Sequence, residues 1–311
     1  MSQEVIVHNQ PVEDETERLL RGTAEKAIDY LRGLPVRHVG AQEDARTIAA
    51  RIGGPLPAAS EEASAVLDRL IREVDPGIVA SAGPRYFGFV IGGTLPAALA
   101  ADWMTAAWDQ NAALHALSPA GAAAEQVAGE WMLDLLGLPA GWSTGLPTGA
   151  GLGNAVGIAS ARHALLDKLG WDVERRGLYG APEIEVVTGE ETRATVLTAL
   201  QYLGLGRERI TKIPTDDNGA MKAAEFDQAM NAAADKPVLV IAQAGNVNTG
   251  AFDPLPAIVA AADAHPNAWV HVDGAFGLWA STSPRLAHLT AGVEGVDSAS
   301  TDAHKWLNVG Y

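Results

Sequence analysis

Trp269-Val-His-Val-Asp273-Gly-Ala-Phe-Gly277 and, further on, Asp297-Ser-Ala-Ser-Thr-Asp-Ala-His-Lys305-Trp-Leu-Asn308 are the stretches around which this 311-residue chain is organised. The first is an apolar, strand-like run that ends on Asp273 and is followed by small residues. That pattern predicts a carboxylate at the C-terminal end of a strand, facing a crevice. Lys305 occupies the same kind of position after an interval that suits one parallel crossover. In open α/β sheets such crevices, outside the carboxyl ends of the strands, are where ligands bind.

Outward from this stretch, apolar β-rich runs at 184–187, 210–213, 238–242 and 269–272 alternate with helix-like segments at 196–203, 223–230 and 257–264. This alternation predicts an α/β fold, a largely parallel sheet covered on both faces by helices. Upstream, Thr148-Gly149-Ala150-Gly151-Leu-Gly153-Asn154 runs into a helical pattern through Ala161, Leu165 and Leu166. A glycine-rich turn opening a helix aims free N–H groups and the positive dipole end at one point, which suits a phosphate. Taken alone the signal is weak and a tight turn with no ligand is the favoured reading. No Gly-Lys-Ser/Thr follows, and the glycines lack dinucleotide spacing. Gln243 to Asp253 places Asn248 and Thr249 at the C-terminal edge of the sheet, where polar side chains can orient a ring or close an ordinary turn.

Toward the N-terminus, residues 13–32 carry apolar residues at helical spacing and end at Arg32-Gly33. An extended connector through Gly53-Gly54, Pro55 and Pro57 follows, and then a helix that Ser60 can cap. Residues 1–80 are therefore expected to form a helical arm able to pack on a partner subunit, and residues 81–311 the large domain. Pro96 can start a helix bearing Trp103 and Trp108, whose expected role is core packing. Another helix over 122–136 stops at Gly137.

Lys plus Arg total 22 against 38 Asp plus Glu, a formal charge of -16, with no basic run for nucleic acid or anionic membranes. Cysteine is absent, which excludes disulfides, thiolate metal sites and a cysteine nucleophile and fits a reducing compartment. Eight histidines include no ligand pair, so no metal site is expected. No basic leader region opens the chain and no apolar run reaches the ~20 residues of a membrane span, so a soluble cytoplasmic protein is expected. Singly, Asp273 is a turn former and Lys305 a solvated charge. Together with the phosphate-suited turn and the polar edge loop they converge on one sheet edge. An amine and an acid in one crevice are what a pyridoxal phosphate site requires.

At these residues the sequence resembles the group II pyridoxal-phosphate-dependent amino-acid decarboxylases, the aromatic-amino-acid, tyrosine and glutamate decarboxylase family. Besides Val-Asp-Gly-Ala-Phe-Gly and Thr-Asp-Ala-His-Lys-Trp-Leu-Asn, the likeness includes Arg85-Tyr-Phe-Gly-Phe, Trp108-Asp-Gln-Asn, Leu135-Leu-Gly-Leu-Pro, Leu203-Gly-Leu-Gly and Gln243 to Pro254, in the same order. The resemblance implies a fold-type I, aspartate aminotransferase-like large domain and a homodimer with sites at the subunit interface. It implies decarboxylation of an L-amino acid to its amine. Lys305 would hold pyridoxal 5'-phosphate as an imine, and Asp273 would pair with the pyridine nitrogen. Ala275 would lie against the ring. Gly149, Ala150 and Gly151 would offer backbone to the phosphate, with His304 helping there, and Asn248 and Thr249 would fall in the loop near the ring.

The sequence departs from the family at Arg193, where a histidine stacks on the cofactor. A guanidinium can stack but cannot become neutral. Gly151 stands where a Ser or Thr contacts the phosphate, and Gly310 replaces a proline before Tyr311. The family continues well beyond Tyr311, through a mobile loop with a catalytic tyrosine and a C-terminal domain, so a truncated member is expected. Another pyridoxal phosphate lyase, an aminotransferase, or a non-catalytic remnant stay open as alternatives, and the substrate is not readable.

Overall fold

The protein is described by a computed structural model over residues 11–310. The N-terminal decapeptide read for a leader, and Tyr311, lie outside the described residues. The chain separates into two compact units, Met1–Gly93 and Thr94–Tyr311.

In the first unit, α1 spans Pro11–Gly33, α2 Ala45–Ile52 and α3 Ala63–Val74. The helix α2 falls in the stretch expected to be extended. Asp44 starts it by accepting the Thr47 N–H at 2.8 Å, and Ile48 and Ile52 share a face before Gly53 ends it. Capping at Ser60 is also corrected. The residue flanking α3 is Glu62, which makes no side-chain cap bond, while Glu61 instead accepts two bonds from Arg69 at 2.6 and 3.1 Å. Lys26 on α1 pairs with Asp68 on α3.

The second unit runs α4 (Pro96–Trp108), α5 (Pro119–Leu136), α6 (Gly149–Asp167), α7 (Val173–Arg176), β1 (Glu185–Gly189), α8 (Ala194–Tyr202), β2 (Ile210–Ile213), α9 (Ala223–Ala232), β3 (Val238–Gln243), α10 (Leu255–Asp263), β4 (Ala268–Asp273), β5 (Ser298–Ser300) and α11 (Ala303–Trp306). The strands form one parallel sheet in the order β2-β1-β3-β4-β5. Between β4 and β5 the crossover is made of short 3-10 turns rather than a long helix.

Strand periodicity distributes the core. Val238, Val240 and Ala242 of β3, with Val187, Val270 and Val272, face Phe226 and Met230 of α9 and Leu255 and Ile258 of α10. Leu239 and Ile241, with Val186, face Ile158, Ala161 and Leu165 of α6 and Val196, Ala199 and Leu200 of α8. Every residue of β3 is buried, as a central strand covered on both faces requires. Each fully buried Leu or Ile contributes about 1.5–3 kcal/mol relative to exposure. Trp103 and Trp108 do not pack into this core. They are 43% and 61% exposed, and α4 contributes no buried residue despite its apolar composition.

Candidate active site

Adjacent strand ends bring the site together. In the sheet register Gln243 lies beside Asp273, and Asp273 beside Ser300. Asp273 is buried. Its Oδ1 accepts the Ala275 N–H at 3.1 Å, whereas Oδ2 is buried with no partner. Behind it Gly274 donates its N–H to Ser300 O at 2.9 Å. A Cβ on Gly274 would stand 2.6 Å from Leu278 Cβ, so only glycine allows this approach.

From β5 the chain passes Thr301, whose hydroxyl donates to Gly274 O at 3.2 Å, to Asp302, whose Oδ1 accepts the His304 N–H at 3.1 Å and caps α11. That cap and short helix carry His304, buried, and Lys305, half-buried. The indole of Trp306 donates to Phe276 O at 2.8 Å, and the two rings lie 5.6 Å apart, which fastens α11 to the loop after Asp273. Burial lowers the Lys305 amine, the Arg193 guanidinium lowers it further, and Asp302 and Asp273 act in the opposite direction. Lys305 therefore feels Arg193, Asp302 and Asp273 together. Burial also lowers the His304 imidazole.

Arg193 is the flanking residue at the start of α8 and is half-buried. Its loop is held over the sheet edge by Thr192, whose hydroxyl donates to Gly189 O at 2.8 Å, and by Gln243, whose side-chain amide donates to Glu191 O at 3.1 Å. Gly149 opens α6 with φ +75, and Thr148 before it makes no side-chain cap bond. The first N–H groups of α6 thus lack a side-chain acceptor from that residue. A Cβ at Gly149 would meet nothing within 4 Å, and one at Gly151 only Thr195 Cγ2 at 4.0 Å. The first turns of α6 and α8 are therefore neighbours. Ala150 and Ala275 are both buried.

Asn248 and Thr249 are exposed, and no bond joins them to Asp273 or Lys305 among the described residues. Thr249 turns its hydroxyl to Asn218 O at 2.5 Å. The buried residue of this loop is Asn246, whose Oδ1 accepts the N–H groups of Asn248 and Thr249 at 2.8 and 3.3 Å.

A polar ladder absent from the sequence reading fixes α6 against β4 and β5. Fully buried His271 bonds Ser298 Oγ through Nδ1 at 2.8 Å and Asn154 Oδ1 through Nε2 at 3.0 Å. Ser300 donates to the same Asn154 oxygen, and the Trp269 indole donates to Ser298 Oγ at 2.9 Å. Burial lowers His271 from 6.5 to about 4, so the ring is neutral near pH 7. The legible signal was Gly153 and Gly157 at one-turn spacing on α6: a Cβ on Gly157 would lie 2.4 Å from His271 Cε1.

The pyridoxal-dependent decarboxylase conserved domain matches residues 50–311. Tryptophan decarboxylase 1 of Oryza sativa subsp. japonica is 31% identical over 267 residues, which cover 81% of this chain and 51% of that protein. Cysteine sulfinic acid decarboxylase of Rattus norvegicus is 29% identical over 261 residues, 82% of this chain and 51% of that protein. Among solved structures, Oryza sativa TDC with PLP superposes with a TM-score of 0.85 at 27% identity, covering 99% of this chain and 66% of that one. The chain spans about half the length of the curated relatives it matches.

Proposed function

The chain belongs to the pyridoxal-dependent decarboxylase family, and on that premise we propose that it binds pyridoxal 5'-phosphate between Asp273 and Lys305 and releases the carboxylate of an L-amino acid as carbon dioxide. The Asp273 carboxylate carries this reading. One of its oxygens is held by Ala275 N–H, and the other is buried without a donor beside a half-buried amine. A buried acceptor left unpaired costs about 1–3 kcal/mol, and a protonated ring nitrogen is the donor that would remove that cost.

The residues present fit the cofactor. Lys305 Nζ would hold it covalently, aided by the lowered proton affinity of the amine. Asp273 would keep a proton on the ring nitrogen, and Ala275 would lie against the ring. The backbone of Gly149, Ala150 and Gly151 would receive the phosphate at the start of α6, with His304 nearby. Arg193 would flank the ring, and Asn248 and Thr249 would line the loop beyond it. When bound, the cofactor accepts the electron pair left behind as carbon dioxide departs.

The reading extends to a cytoplasmic homodimer. Exposed Trp103, Met104 and Trp108 on α4, a helix with no buried residue, support a second copy as its cover. Among the described residues no helix is long and apolar enough to cross a membrane. Supplying the chain with pyridoxal phosphate and a panel of L-amino acids, and measuring carbon dioxide against keto acid, tests the activity. Carbon dioxide with the matching amine is expected, and a keto acid as the main product would contradict decarboxylation.

A further inference from the structure

The chemistry above makes no use of the charge on Arg193. Its guanidinium is half-buried at the edge of the Lys305 crevice, and among the described residues no hydrogen bond or ion pair holds it. The loop leading into it is fixed by Thr192 on Gly189 O at 2.8 Å and by Gln243 on Glu191 O at 3.1 Å, and the chain continues from it directly into α8. Gln243 is itself the register partner of Asp273, so this loop sits over the same sheet edge as the acid. Of the charged groups acting on Lys305, Arg193 exerts the largest influence, ahead of Asp302 and Asp273. A guanidinium stays protonated throughout the physiological range. Two cations close together in a partly desolvated crevice repel, and an anion placed between them relieves that repulsion.

We propose that Arg193 is a specificity-determining residue that binds the second, side-chain acid group of an acidic amino-acid substrate. The proposal rests on the decarboxylase reading, which also decides which acid it can be. An ion pair to the departing carboxylate exists in the ground state and is lost as neutral carbon dioxide forms, so it would slow the reaction. An ion pair to an acid that keeps its charge stabilises ground and transition states alike and acts on selection. The planar fork of arginine matches a carboxylate or sulfinate through two parallel N–H···O bonds, whereas a lysine offers a point charge.

The test uses the full chain loaded with pyridoxal phosphate and two unreactive ligands of nearly equal shape, glutarate and glutaramate, which differ in one acid against one amide. Calorimetry should show glutarate binding about tenfold to a hundredfold more tightly. Arg193→Gln should abolish that preference, and Arg193→Lys should restore part of it. Wild-type protein that binds both ligands alike overturns the proposal without any variant. So does Arg193→Gln that keeps the preference, or that weakens uptake of pyridoxal phosphate itself while the preference stands, which would assign the guanidinium to the phosphate. Keto-acid formation from glutamate that disappears in Arg193→Gln also overturns it, because Arg193 would then grip the α-carboxylate. Cofactor uptake is followed separately by absorbance. A chain that takes up the cofactor but ignores the second acid sinks the specificity proposal alone, whereas no uptake sinks the decarboxylase reading and this proposal with it.

Discussion

Replacing Gly157 by alanine should damage both stability and cofactor binding, because the added methyl has nowhere to go. Its Cβ would lie 2.4 Å from Cε1 and 2.5 Å from Nδ1 of His271. That ring is fully buried and tied at both nitrogens, at 2.8 Å to Ser298 and 3.0 Å to Asn154, so it cannot retreat without giving up a bond. Alanine gains about 1 kcal/mol over glycine in a helix interior. Against this stand about 1–3 kcal/mol for overpacking and about 1–3 kcal/mol for a buried polar group left unpaired. The net expectation is a destabilisation of about 1–5 kcal/mol. Urea unfolding followed by circular dichroism should show a lower midpoint at unchanged slope. Gly151→Ala is the control: its Cβ meets only Thr195 Cγ2 at 4.0 Å, so it should be no less stable than wild type and gain at most about 1 kcal/mol. A shifted α6 also moves Gly149 to Gly151, so Gly157→Ala should bind pyridoxal phosphate more weakly. A Gly157→Ala protein that unfolds at or above the wild-type midpoint would refute the reasoning.

Three further outcomes are expected. The folded chain holds His271 neutral, at about 4 against 6.5 for the free side chain, so protons favour the unfolded state between those values. Its contribution to stability is fully present above pH 6.5 and falls by about 3 kcal/mol as the pH drops to 4. His271→Asn should flatten that part of the stability profile, and parallel profiles for the two proteins would rule the linkage out. Asp302→Asn keeps a capping side chain at α11 but removes a charge that raises the Lys305 amine, so the pH at which Lys305 becomes reactive should fall. An unchanged or raised value, read from the pH dependence of amine labelling, would count against Asp302 as a partner of Lys305. Buried Asp253 accepts the N–H of Met221 at 2.8 Å and of Gln243 at 2.7 Å, so Asp253→Ala orphans two buried donors and should cost about 2–6 kcal/mol in urea unfolding. A loss below 1 kcal/mol would mean those donors find other acceptors.

How far the fold was legible depended on periodicity. The fully buried strand β3 and the alternation of β1 to β4 with α8, α9 and α10 are visible as apolar runs between helical patterns. The helix α2 was hidden because Gly53, Gly54 and two prolines dominate that stretch, while its start depends on one cap at Asp44. Large aromatics such as Trp103 and Trp108 suggest core because aromatics fill cores, yet a helix can be apolar and lie outside its own chain's core. At the site, Asp273 announces itself by its position at the end of β4, whereas Lys305, expected at a strand end, stands past the end of β5 on the short helix α11. Gln243 and Asp302 do not, because their parts rest on sheet register and on a cap three residues before the lysine. The His271 ladder depends on contacts between α6, β4 and β5, to which spacing along one segment is blind.

The central claim is that Lys305 carries pyridoxal phosphate beside Asp273, and covalent mapping tests it most directly. The folded chain is incubated with pyridoxal phosphate, treated with borohydride, digested and examined by mass spectrometry. One phosphopyridoxyl group on the peptide containing Lys305, strongly reduced in Asp273→Ala, is the predicted result. Folded protein whose Lys305 stays unlabelled, or whose label is spread evenly over surface lysines, would contradict the account.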